Sequence, residues 1–105
     1  MDTLSRLETT IRNRFASGDV AGSYVAQLKK RGLAVIARKV GEEAIETVTA
    51  SLVGTDRELT SEAADLLFHL LVLLAAKDVR IADILAELDR REGTSGLDEK
   101  AGRSS

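Results

Sequence analysis

"KVGEEAIETVTASLVGTDRELTSEAADLL", residues 39–67, is the stretch on which the fold of this chain turns. Two helical-period segments meet at "GTD", residues 54–56, and each carries acids beside its apolar stripe. On the first, Ile36, Val40, Ala44 and Val48 recur every fourth residue. At about 100° per residue, Glu43 falls roughly 20° from Ile36, with Glu46 and Lys39 on the same flank and Glu42 slightly further round. On the second, Leu59, Leu66, Leu70 and Leu73 form the apolar seam, and Glu62, Asp65 and His69 share one flank. Thr55 and Glu58 stand at capping-box spacing, so the second helix starts near Asp56.

The turn decides whether the two acidic flanks meet. Glu46 lies about 12 Å of helix before Gly54, and Glu62 lies about 10.5 Å after Thr55. In an antiparallel hairpin these side chains come level, and Glu43 and Asp65 come level one turn further from the loop. The layout is then ExxE facing ExxD. Four converging carboxylates repel one another and resist desolvation unless a cation sits among them. Hard oxygen donors favour Mg²⁺, or Mn²⁺ in its place, over zinc. Either acidic pair taken alone reads as a solvated helix face; the matched distances from one turn set a metal site beside that reading.

Working outward, the periodicity predicts an all-α chain of four to five helices and no strand. The helices run from about Thr3 to Ala16, over 23–31, from about Leu33 to Val53, from near Asp56 to about Lys77, and over roughly Ile81 to Arg91. Ser23 caps the second and Gly32 stops it. "SGD", residues 17–19, ends the first helix. One helical domain over 1–92 is expected, followed by a disordered Gly-, Ser- and charge-rich tail over 93–105.

Totals narrow the function classes. The 105 residues suit one domain, and 44% hydrophobic content with two Phe, one Tyr and no Trp calls for an aliphatic core. Without cysteine there is no disulfide framework and no thiolate chemistry. A net charge of −2 from mixed signs leaves no footprint for a nucleic acid polymer or a membrane. The longest apolar run, "LLVLLAA" at 70–76, falls short of the roughly 18 residues a span needs, so a soluble cytoplasmic protein is expected. From Leu66 to Ala76 the helix is apolar nearly all round, which predicts cover from a second copy: a homodimer with a four-helix core.

"SYVAQLKKRG", "RKVGEEAIETV" and "EAADLLFHLLVLLA" resemble the phosphoribosyl-ATP pyrophosphatase family of histidine biosynthesis, within the wider all-α, MazG-type nucleotide pyrophosphohydrolases. The resemblance covers about residues 4–91. It implies Mg²⁺-dependent hydrolysis of 1-(5-phosphoribosyl)-ATP to 1-(5-phosphoribosyl)-AMP and pyrophosphate. It implies Glu43, Glu46, Glu62 and Asp65 as metal ligands, with Glu42, Glu43 and Glu46 as the catalytic acids; Glu42 is either a further ligand or positions the water. It also implies the stand-alone form, without a fused cyclohydrolase domain. Phe68 stands where the family often has Tyr, and Lys77-Asp78 where Arg-Gly is commoner.

An acidic site binds a polyphosphate only through cations. Lys39, Lys29 and Lys30 are candidates for contacts to substrate phosphates, Tyr24 for stacking on base or ribose, and His69 for a substrate or supporting role. Each has a structural alternative: an i,i+4 pair of Lys39 with Glu43, a solvated basic turn, core packing, and a buried hydrogen-bonded histidine. Two other functions share the helical pattern, a house-cleaning hydrolase of dUTP-like nucleotides and a non-enzymatic dimerisation module.

Overall fold

The computed structural model describes residues 2–17 and 23–93. These form five helices: α1 (Thr3–Ser17), α2 (Tyr24–Arg31), α3 (Leu33–Val53), α4 (Asp56–Ala76) and α5 (Ile81–Arg91). No strand occurs among the described residues. The all-α expectation holds. Residues 18 and 19 of the expected first turn, and the tail beyond Gly93, lie outside the described residues.

Local chemistry explains the helix limits. Ser23 accepts a hydrogen bond from the Ala26 amide and starts α2. Gly32 ends it at φ 102°, a conformation that favours glycine, and its amide donates to the Leu28 and Lys29 carbonyls. The Thr55 hydroxyl accepts from the Glu58 amide while the Glu58 carboxylate accepts from the Thr55 amide, so the expected capping box opens α4. Asp78 follows α4 at φ 55°. Its amide donates to the Ala75 carbonyl and that of Val79 to the Leu74 carbonyl, the hydrogen-bond pattern of a Schellman stop. Asp tolerates this left-handed position better than most residues, and Arg12 of α1 holds its carboxylate.

Helices α3 and α4 make an antiparallel hairpin with the most extensive packing in the chain, and α1 and α2 lie against it. Ile11, Val25, Leu28, Ile36, Leu71 and Val72 form the buried core, with Phe15 and Phe68 packed on it. Each such side chain stabilises the fold by about 1.5–3 kcal/mol. The core therefore occupies the end of the hairpin away from its loop.

The face that α3 buries differs from the expected stripe. Ile36 is buried, but Val48 is 57% exposed, while Glu43 and Ala50 are buried. Steps of four residues drift by about 40° each, so Val48 ends roughly 120° from Ile36. Steps of seven drift by only about 20°, which keeps Ile36, Glu43 and Ala50 on one line.

Large apolar faces stay open in the single chain. Leu52 on α3 is 77% exposed, and Ile84, Leu85 and Leu88 leave most of the apolar face of α5 uncovered. Helix α4 is long and apolar enough to cross a membrane by length and composition, with only 17% of the relevant window buried. It carries Glu62 and Asp65 and packs against α3 and α1.

Gly54 sets the hairpin turn. A Cβ there would stand 2.9 Å from the Ala50 carbonyl oxygen and 3.2 Å from Glu58 Oε2. The backbone contact cannot be relieved by a rotamer change, so Gly54→Ala is expected to cost about 1–3 kcal/mol, measured by urea denaturation.

Candidate metal centre

The seven-residue line that buries Ile36 and Ala50 also places a carboxylate, Glu43, inside the hairpin. Glu43 is only 6% exposed. Opposite it, α4 presents Glu62 and Asp65 on successive turns. One carboxylate oxygen from each of Glu43, Glu62 and Asp65 lies within 4.8 Å of the others. Glu43 Oε2 and Glu62 Oε2 are buried without a hydrogen-bond partner. Leaving such an atom unsatisfied costs about 1–3 kcal/mol, more for a charged group. Three hard oxygen donors, two with orphaned buried atoms, fit a hard divalent cation.

The electrostatics point the same way. Burial raises the Glu43 pKa above the usual carboxylate value, and a hydrogen bond with Glu46 and that residue's charge raise it further. His69 and Lys39 pull in the opposite direction without cancelling the rise. Lys39 Nζ lies 3.6 Å from Glu43 Oε1 and 3.7 Å from Glu42 Oε1. Burial opposes the Lys39 charge, yet Tyr24, Glu42 and Glu43 outweigh it and raise the Lys39 pKa. The acids thus draw on a local cation.

Beside the three acids, a cleft of about 280 Å³ runs toward the hairpin loop, lined by Glu46, Thr49, Ala50, Val53, Gly54, Glu58 and Glu62. On the other side, Tyr24 Oη and His69 Nε2 are 2.8 Å apart, and His69 Nδ1 is 2.7 Å from the Asp65 carbonyl oxygen.

Sequence comparison identifies the family. The profile of the phosphoribosyl-ATP pyrophosphohydrolase family matches residues 4–92. The chain belongs to that family. It is 62% identical over 103 residues to a phosphoribosyl-ATP pyrophosphatase of Novosphingobium aromaticivorans, covering 98% of this chain and 95% of the relative. Identity is 61% over 103 residues with a phosphoribosyl-ATP pyrophosphatase of Erythrobacter litoralis, covering 98% of each. It is 52% over 103 residues with one of Dinoroseobacter shibae, covering 98% of this chain and all of the relative. Family membership makes the chain a hydrolase, and the all-α fold agrees with the resemblance read from its motifs.

Of the four carboxylates the pattern singles out, Glu43, Glu62 and Asp65 form the close set. Glu46 stands next to it, its charge helping to raise the Glu43 pKa, and lines the cleft. Glu42 is exposed and held by Lys39. The ammonium of Lys29 sits 5.1 Å from the centre of the Phe15 ring, a cation–π contact, and Lys30 is exposed on the same turn. Tyr24 stacks on Phe68 at 6.1 Å between ring centres. The Tyr24–His69 pairing has no local sequence signal, because 45 residues separate the partners. The same holds for Glu8, whose carboxylate accepts from the Ile81 amide at the start of α5.

Because the folded chain holds the Glu43 proton more tightly than the unfolded chain, stability falls as pH rises from the ordinary value of 4.5 through the raised one. Metal-free Glu43→Gln cannot ionise there. It is expected to be more stable than the parent at pH 8 by about 1–3 kcal/mol, with the difference shrinking toward pH 4.5. Adding Mn²⁺ should stabilise the parent and not the variant; urea titrations at the two pH values check both.

Proposed function

We propose that this chain hydrolyses 1-(5-phosphoribosyl)-ATP to 1-(5-phosphoribosyl)-AMP and pyrophosphate in histidine biosynthesis, with Mg²⁺ as cofactor and Mn²⁺ as a possible substitute. The observation that carries this reading is the convergence of Glu43, Glu62 and Asp65 with two orphaned buried oxygens, in a chain of this family. Glu43, Glu62 and Asp65 would hold the cation, and Glu46 is the adjacent fourth carboxylate. When bound, the cation neutralises phosphate oxygens and makes water more acidic.

The remaining steps belong to the chain's own groups. Water adds to phosphorus, the bond between the α and β phosphates breaks, and the proton released must find a base. Glu42 and Glu46 are the acids left outside the close set, and either can orient the water and accept its proton. Lys39 now compensates Glu42 and Glu43. Once the acids are neutralised, the same ammonium can turn to a phosphate oxygen. Lys29 and Lys30, at the C-terminal end of α2, offer further positive charge to the departing pyrophosphate.

The working form in this reading is a soluble cytoplasmic homodimer. The open faces of α3 and α5 and the small buried share of α4 support it, because a single chain leaves that apolar area in water. Joining α3–α4 hairpins from two copies would cover α4 in a four-helix core.

Purified protein with Mg²⁺ is expected to cleave phosphoribosyl-ATP in preference to dUTP and the common nucleoside triphosphates. Asp65→Asn and Glu62→Gln should each lose more than the 10–100-fold typical of residues that merely support a metal ligand, that is, over about 100-fold in kcat/KM. Preference for dUTP would replace the substrate assignment. Sedimentation should give twice the 11.3 kDa chain mass, and Leu52→Glu should shift the protein toward monomer.

A further inference from the structure

Helix α2 meets the acidic centre through a part-buried hydrogen bond between Tyr24 and His69. A backbone carbonyl only accepts hydrogen bonds. With His69 Nδ1 2.7 Å from the Asp65 carbonyl oxygen, Nδ1 must carry the proton. In a neutral imidazole, Nε2 is then the acceptor, and the Tyr24 hydroxyl, 2.8 Å away, must donate to it. The chain of donors runs one way: Tyr24 O–H to His69 Nε2, then His69 Nδ1–H to the Asp65 carbonyl.

Packing encloses the His69 ring, and Tyr24 lies against it with 44% of its surface exposed. His69 is 7% exposed. Tyr24 stacks on Phe68, and His69 stands edge-on to both rings, at 5.6 Å from Tyr24 and 5.4 Å from Phe68. The carbonyl at the end of the chain belongs to Asp65, whose side chain is one of the three metal-site carboxylates. Both ring nitrogens of His69 are occupied, and the Tyr24 proton is committed. Neither group is free to donate to a substrate without breaking the contact that ties α2 to α4.

We propose that Tyr24 and His69 are a positioning pair: their hydrogen bond fixes the histidine tautomer and, through the Asp65 carbonyl, the turn of α4 that aims the Asp65 carboxylate at the cation. This rests on the proposed metal-dependent reading of the site. It assigns to Tyr24 an orienting role in place of base or ribose stacking. The pair acts on the metal ligand from behind, as hydrogen-bonding partners of ligands do elsewhere, where their removal lowers metal affinity or activity by about 10–100-fold.

The test uses the full-length chain and Mn²⁺ as probe, so that it does not depend on the substrate assignment. At pH 8, nitrogen NMR of the metal-free protein is expected to show His69 in the Nδ1–H tautomer. Tyr24→Phe keeps the ring stack but leaves Nε2 without its donor. It should mix the tautomers and weaken Mn²⁺ binding by about 10-fold, with the same fall in kcat/KM at low Mg²⁺ and recovery at high Mg²⁺. His69→Gln, whose amide oxygen can accept from Tyr24, should retain more Mn²⁺ affinity than His69→Leu. An Nε2–H tautomer in the parent, or unchanged Mn²⁺ affinity in Tyr24→Phe, overturns the proposal. So does a raised KM for phosphoribosyl-ATP that high Mg²⁺ does not restore, which makes Tyr24 a substrate contact. If the parent binds Mn²⁺ but leaves phosphoribosyl-ATP intact, the substrate reading fails and the pair is still judged by tautomer and affinity.

Discussion

The arrangement of this chain turns on one carboxylate, Glu43, buried in the hairpin beside two more open acids. Glu43 sits on the line of α3 that also buries Ile36 and Ala50, so it cannot leave the hairpin without carrying the helix face with it. Glu62 and Asp65 meet it from α4. The hairpin backbone holds the set together; burial, with Glu46 alongside, raises the Glu43 pKa, and the buried Oε2 atoms of Glu43 and Glu62 have no hydrogen-bond partner. Such a set of hard oxygen donors fits a hard divalent cation.

The rest of the fold bears the cost. The apolar core of α1, α2 and the far ends of α3 and α4 lies away from the hairpin loop, so the acids are held at one end by packing at the other. Buried aliphatic side chains worth a few kcal/mol each set the register, and the capping box at Thr55 with the constrained Gly54 fixes where the second helix begins. Polar contacts also cross between helices. Arg12 holds Asp78, Glu8 accepts from the Ile81 amide, and Tyr24 bonds to His69. The first and last tie α1 and α2 to the α3–α4 hairpin or to the turn that follows it, and the Glu8 contact joins α1 to the start of α5.

Some of this was open to reading without coordinates, because it is local. Helix limits follow from Ser23, Gly32, Thr55 and Glu58, whose capping bonds close within a few residues. The meeting of Glu43, Glu62 and Asp65 could be anticipated because one short turn relates both acidic flanks, so chain distance along each helix fixes the level. The buried line of α3 could not be taken from a four-residue rhythm, since the drift of that rhythm accumulates over three turns and carries Val48 to the surface. Glu46 stands beside the close set instead of within it: one turn nearer the loop, it lines the cleft beside the three acids.

The sequence alone determined an all-α chain, its helix ends and the acids able to meet, since periodicity, capping and rise per residue are properties of single helices and one turn. Only the tertiary structure decided which carboxyl is buried and that Tyr24 and His69 bind each other. Those outcomes depend on the rotation of each helix about its own axis and on contacts across 45 residues of chain. Such rotation is set by packing against the aliphatic core, and no residue-to-residue spacing within one helix encodes it.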